Sequence, residues 1–256
     1  MSYESYTPKC VMITGATGGF GEAFACRFAA VGAKLVLHGR NKEKLDQLAQ
    51  TFDVPVHCVV FDLKDKSETI AQLEAIPAEF KNIDVLVNNA GGALGLDKAH
   101  EANLQDWDDM IEMNAASLAR ITRLVLPQMV ERQEGHVINI GSIAGNWPYP
   151  GGNVYGAVKA FVKQFSLNLR ADLIGTGVRV TNIEPGIAET PFSLARFKGD
   201  SDKAAEVYAN TTPLYADDIA ETVFWAATLP QHVNVNTLEV MPTMQSFNPL
   251  HVERHG

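Results

Sequence analysis

Short apolar, β-branched runs alternate along this chain with longer segments whose apolar positions recur every three or four residues. The short runs are CVMIT (10–14), KLVLH (34–38), VHCVVF (56–61), DVLVN (84–88), HVINIG (136–141), VRVTNI (178–183) and TLEVM (237–241). Most are apolar on both parities, as strands covered on two faces must be. The longer segments predict helices over about 19–31, 41–51, 66–79, 103–132, 154–174 and 216–228. Strict alternation of the two kinds predicts right-handed crossovers and one parallel sheet with helices on both faces, an α/β fold. No Ser/Pro-rich linker or fixed repeat divides the chain, so residues 1–256 are expected to form a single domain. The rhythm breaks at 186–215, after the sixth strand. A segment of that length beside a strand's carboxyl end is expected to be a substrate lid, with a plain surface loop as the other reading.

The 256 residues are 46% apolar and carry 21 basic against 30 acidic side chains, a net charge of −9. That balance, without a long basic run, argues against a nucleic-acid or anionic-membrane partner. No apolar stretch reaches the length that spans a bilayer, and the start MSYESYTPKC lacks a signal-peptide pattern. Cys10, Cys26 and Cys58 are odd in number and lie in apolar stretches, which fits free thiols in a reducing, cytoplasmic setting. Seven scattered histidines give no metal-binding spacing, and GSIAG lacks the nucleophile spacing of a serine hydrolase. No metal is expected.

The first strand runs into TGATGGFG (14–21), ahead of a helix. Gly15, Gly19 and Gly21 suit a tight turn, close approach to phosphate and close helix–strand packing, with the helix-start amides facing a pyrophosphate. An ordinary glycine-rich turn is the bland alternative. The second strand ends LHGRN, placing Gly39 and Arg40 where NAD-binding sheets carry an acidic residue. Glycine leaves room for a 2′-phosphate and a guanidinium can bind it bidentately, so NADP is expected over NAD. Lys42 and Lys44 fit a solvated helix start better. Asp62, ending the third strand, is expected to accept from the adenine amino group. Tyr155 and Lys159 stand at i and i+4 on a predicted helix and can share one face. An ammonium beside a phenol stabilises the phenolate, so the phenol is expected to be made more acidic.

TGATGGFG, NNAG (88–91), Asn114 in MNAAS, GS (141–142), YGAVK (155–159) and PG (185–186) occur in this order. Together they resemble the short-chain dehydrogenase/reductase family over nearly the whole chain. WPYPGGNVYGAVKAFVKQFSLNLR and RFKGD further resemble the NADP-dependent 3-hydroxy acid dehydrogenases, with the sulfoacetaldehyde reductases as close kin. The resemblance implies a seven-stranded Rossmann sheet in a homo-oligomer, dimer or tetramer, acting on a small anionic carbonyl or alcohol. It implies that Tyr155 exchanges the hydroxyl proton and that Lys159 holds the nicotinamide ribose and tunes the phenol. Ser142 would bond the substrate oxygen, Asn114 would fix a relay water, and Asn88 would shape the cofactor pocket. Pro185 and Thr190 would approach the nicotinamide. Thr17, Phe20, Leu63, Ala90, Gly91 and Gly186 complete the implied cofactor contacts.

Tyr149, Asn153 and Arg196 are the candidates for substrate recognition, with Arg196 gripping the acid group. A loop charge in solvent is the alternative for Arg196. Carboxylate and sulfonate substrates both fit, namely malonic semialdehyde/3-hydroxypropionate, serine or allo-threonine against sulfoacetaldehyde/isethionate. The rival from another class is a non-catalytic NADP sensor on the same sheet. The tail 243–256 is expected to pack on a neighbouring subunit.

Overall fold

The computed structural model describes residues 6–247. Seven strands, β1 (Cys10–Ile13), β2 (Lys34–Gly39), β3 (Val56–Val60), β4 (Val85–Asn88), β5 (Gly135–Ile140), β6 (Val178–Pro185) and β7 (Thr237–Val240), form one sheet. Its order is β3-β2-β1-β4-β5-β6-β7, and every neighbouring pair is parallel. β1, β4, β5 and β6 are buried along their whole length, which is why both parities of those runs are apolar. The order reverses between β1 and β4, and that switch point opens a crevice at the strands' carboxyl ends.

The crossovers carry α1 (Gly19–Ala29), α2 (Lys42–Ala49), α3 (Lys66–Glu74), α4 (Leu104–Ile111), α5 (Ser117–Arg132), α6 (Asn153–Asp172) and, after two short helices, α9 (Ala216–Thr228). Side chains start several of them: Asn41 accepts from the Lys44 amide, Asp65 from the Glu68 amide and Asn103 from the Gln105 amide. Two apolar cores result. One packs Phe24 and Phe28 of α1, with Val223 of α9, against one face; the other packs Ile121 and Met129 of α5, with Leu169 of α6, against the opposite face.

Three departures from the expected elements matter for the site. The predicted helix 103–132 is interrupted by a π-helical turn, Glu112–Ala116, with Asn114 at its centre. Residues 186–215 contain α7 (Phe192–Arg196) and α8 (Ser201–Tyr208), too short for their periodicity to stand out. The described part of the tail, 243–247, already lies on its own chain. Gln245 Oε1 accepts from the Ile187 amide at 2.8 Å, and Phe247 packs on Trp147 at 5.5 Å. Residues 248–256 of that tail lie outside the described residues. Among the described residues, no helix is long and apolar enough to cross a membrane.

Candidate active site

The crevice begins at the turn after β1. Thr14 ties it to β4: its hydroxyl accepts from the amides of Asn89 (3.0 Å) and Ala90 (2.9 Å). Gly15 has φ +64°, and a Cβ there would lie 3.0 Å from Ala90 Cα. A Cβ on Gly21 would collide with the Gly15 carbonyl oxygen, so α1 comes this close to the turn only with glycine. His38 holds the turn from behind. Its Nδ1 accepts from the Gly15 amide at 3.3 Å, and Nε2–H donates to the Phe61 carbonyl at 3.2 Å. Burial lowers its pKa to about 4, keeping this tautomer neutral. Gly18, preceding α1, provides no side-chain cap, so the helix-start amides remain available to an anion.

Further along, Gly39 and Arg40 from β2 and Asp62 and Leu63 after β3 line the same cavity of about 520 Å³. Arg40 is exposed, as a side chain meeting a phosphate from solvent would be. Lys42 pairs with Asp46 at 2.6 Å within α2, and the Lys44 amide is capped by Asn41. Both belong to the helix start. The glycine cradle, the uncapped helix start and the cation after β2 fit the diphosphate and 2′-phosphate of NADP.

At the other end, α6 presents Tyr155 and Lys159 to the cavity, both buried, with the ammonium 5.7 Å from the phenol ring centre. Lys159 Nζ donates to the Ile140 carbonyl at 2.9 Å. Ser142 ends the extended backbone after β5, and its hydroxyl hydrogen bonds to Tyr155. From α7, the Arg196 guanidinium sits 5.4 Å from the Tyr155 ring and 5.7 Å from Phe192, and donates to Tyr149 Oη at 2.5 Å. Arg196 is held by the loop after β4: its backbone carbonyl accepts from the Gly95 amide at 2.9 Å, and Nε donates to the Gly95 carbonyl at 3.4 Å. Lys198 pairs with Asp106 of α4 at 2.7 Å beside it.

The electrostatics correct one expectation. In the chain alone, burial first, then Tyr149, push the Tyr155 phenol above its ordinary range; Arg196 and the Ser142 hydrogen bond oppose this. Burial also pulls the Lys159 ammonium down to about 8. Both groups have left water, so each is driven toward its neutral form. The chain's own opposing charge at the phenol comes from Arg196 of α7, where the lysine was expected to supply it.

The cavity wall includes Gly15, Thr17, Gly19, Phe20, Arg40, Asp62, Leu63, Ala90, Gly91, Pro185, Gly186 and Thr190 of the expected cofactor set. Ser142, Tyr149, Tyr155, Lys159 and Arg196 join them. Four residues stand elsewhere: Gly21 packs beneath the turn against the Gly15 carbonyl and does not line the cavity, and three asparagines face other surroundings. Asn88 points into the core, donating to Thr122 and Asn139 at 2.8 Å each; Asn89 lines the cavity instead. Asn114 has both side-chain polar atoms committed, Nδ2 to the carbonyls of Gly92 and Met110 and Oδ1 to the Gly92 amide. It braces the loop after β4 from behind. Asn153 faces a separate small hollow and donates to the Asp97 carbonyl at 3.1 Å. Sequence reasoning missed His38, Phe192, Ser193, Tyr208 and Gln245. A histidine inside an otherwise apolar strand was a usable signal for His38; the others are brought in by α7, α8 and the tail.

The profile of the short chain dehydrogenase family matches residues 9–200. Over 245 residues the chain is 55% identical to NADP-dependent 3-hydroxy acid dehydrogenase YdfG of Salmonella typhi, covering 95% of this chain and 99% of that one. It is 50% identical over 247 residues to sulfoacetaldehyde reductase 2 of Chromohalobacter salexigens, covering 95% and 98%. The closed form of serine dehydrogenase complexed with NADP+ superposes with a TM-score of 0.92 at 53% identity, covering 96% of this chain and 100% of that one.

Proposed function

The chain belongs to the short-chain dehydrogenase family, and on that premise we propose that it is an NADP(H)-dependent oxidoreductase that interconverts a 3-oxo acid and its 3-hydroxy acid. The observation that carries the substrate reading is Arg196, whose guanidinium lies 5.4 Å from the Tyr155 ring with Tyr149 beside it. A carboxylate held there sits a short distance from the carbonyl being reduced, and a guanidinium grips it through two parallel hydrogen bonds. Sulfonate, with three oxygens, wants donors spread more widely. Asn153, one of the three donors that reading needs, is turned away toward Asp97. That favours malonic semialdehyde-type substrates over sulfoacetaldehyde.

Bound NADPH supplies the hydride. The residues around it do the rest. Gly15, Thr17 and Gly19 would cradle its phosphates, Arg40 its 2′-phosphate, and Pro185, Gly186 and Thr190 the nicotinamide end. Ser142 Oγ orients the substrate oxygen, and Tyr155 Oη delivers or accepts its proton. Lys159 would hold the ribose, while the Arg196 guanidinium offsets phenolate formation at Tyr155. Asn114 keeps Gly91 and Gly92 in place: it bonds the Gly92 amide and carbonyl, and a Cβ on Gly91 would meet its Oδ1. Residues 186–215 act as the lid. The whole chain is a single catalytic domain in a cytoplasmic homo-oligomer, joined through exposed apolar positions such as Phe161 of α6 and Trp225 of α9. Light scattering that returns a monomer would refute the assembly.

The decisive experiment compares kcat/KM for NADPH-dependent reduction of malonic semialdehyde, sulfoacetaldehyde and a neutral aldehyde of equal length, in wild type and Arg196→Gln. Wild type should prefer the carboxylate, and the variant should lose about tenfold to a hundredfold on the anions, the worth of one charge-assisted contact. Equal losses on the neutral aldehyde would remove Arg196 from substrate recognition. A preference for sulfoacetaldehyde would replace the carboxylate reading. Oxidation of NADPH with none of the three would support the non-catalytic sensor.

A further inference from the structure

Ser142 stands on a turn that is hydrogen-bonded at its far end to a buried carboxylate and packed at its near end on an asparagine held by the same carboxylate. Glu184, on β6 just before Pro185, is 1% exposed and does not line the cavity. Its Oε1 accepts from Asn182 Nδ2 and its Oε2 from Asn146 Nδ2, each at 2.7 Å. Asn182 lies directly beneath Gly141, the residue before Ser142; a Cβ on that glycine would come 2.5 Å from Asn182 Oδ1. Asn146 closes the 3-10 turn Ile143–Gly145 that follows Ser142. One carboxylate therefore orients the amide below the start of the turn and the amide at its end.

The same turn is pressed onto the catalytic helix. A Cβ on Gly145 would stand 2.7 Å from the Lys159 carbonyl carbon, so the turn rests on the α6 backbone at Lys159. One helical turn later, Lys163 Nζ donates to Asn146 Oδ1 at 2.8 Å and lies 3.6 Å from Glu184 Oε1. Glu239, opposite Glu184 across β6 and β7, accepts from the same Asn146 amide at 3.0 Å. A buried carboxylate is costly unless paired and hydrogen-bonded, and an apolar residue would fill this position on β6 at no such cost. Its bonds go to Asn182, on which Gly141 packs, and to Asn146, which ends the turn after Ser142.

We propose that Glu184 is a positioning residue which, through Asn182 and Asn146, fixes the Ser142 turn against α6 and so sets the Ser142 hydroxyl against the Tyr155 phenol. This rests on the reading of Ser142 as the group that orients the substrate oxygen. Glu184→Gln keeps the volume but turns one acceptor into a donor facing an asparagine amide. Turnover and NADPH dissociation, the latter by fluorescence titration, would be measured for this change in wild type and in Ser142→Ala. The expected result is about a tenfold loss of kcat in the wild-type background and less than a twofold loss in Ser142→Ala, where the positioned group is gone. NADPH affinity should stay within twofold in both. Equal fold-losses in the two backgrounds, or a loss confined to NADPH affinity, would overturn the proposal. Full turnover by Ser142→Ala itself would instead sink the Ser142 assignment, and the positioning role with it. Asn146→Ala, at a half-buried position, carries the same test and should show the same dependence on Ser142 should Glu184→Gln fail to fold.

Discussion

Lys159 is held in the fold at a cost that can be worked out and tested. Burial lowers its pKa from 10.5 to about 8. At roughly 1.4 kcal/mol per unit, that shift disfavours the charged form by about 3 kcal/mol. The residue is 7% exposed, so solvent screens little of this. The unfolded chain keeps the proton up to about pH 10.5 while the folded chain releases it near 8. Between those values the unfolded state holds more protons, and stability rises with pH; below 8 the full penalty applies. Lys159→Met removes the penalty and forfeits the bond to the Ile140 carbonyl, worth about 1 kcal/mol. At pH 7 the cofactor-free variant should therefore be about 2 kcal/mol more stable than wild type, roughly 4–8 °C in Tm for a chain of this size, while losing nearly all turnover. At pH 10.5 the gap should shrink below about 1 kcal/mol. Urea unfolding followed by far-UV circular dichroism at the two pH values reads both numbers. A variant no more stable than wild type at pH 7, or an equal gap at both pH values, would refute the account of a strained buried ammonium.

Tyr155→Phe should lower kcat by at least about a hundredfold, the scale of one acid–base group, and leave NADPH affinity within a few-fold. Turnover close to wild type in a stopped assay would remove the phenol from proton transfer. Arg40→Ala should weaken NADP binding by roughly ten- to a hundredfold, as one charge-assisted contact is lost, and barely change NAD binding. Parallel losses in isothermal titration would disprove its phosphate contact. Gly21→Ala forces a methyl group against the Gly15 carbonyl and should cost at least about 2 kcal/mol in denaturant unfolding, with NADP affinity falling as the turn shifts. An unchanged unfolding midpoint would mean that α1 does not pack as closely as described.

Much of this protein was legible in one dimension. The βαβ alternation, the seven strands and the glycine turn follow from local periodicity and from conformations only glycine tolerates. The Tyr155–Lys159 pair follows from helical spacing, because i and i+4 share a face wherever the helix is placed. Three kinds of fact were not legible. Adjacent residues leaving a strand point to opposite sides, so the sheet put Asn88 into the core and gave its neighbour Asn89 the place on the cavity wall expected of Asn88. Charge placement was decided by packing: Arg196 is a loop charge or a substrate anchor according to whether α7 folds over Tyr155, and the contacts that hold it there lie 101 residues away in sequence at Gly95. The directions of the Tyr155 and Lys159 shifts depended on burial, which no spacing encodes. Local chemistry is written in the order of residues; which groups lose their water, and which charges then face them, is settled only when distant segments close around the same cavity.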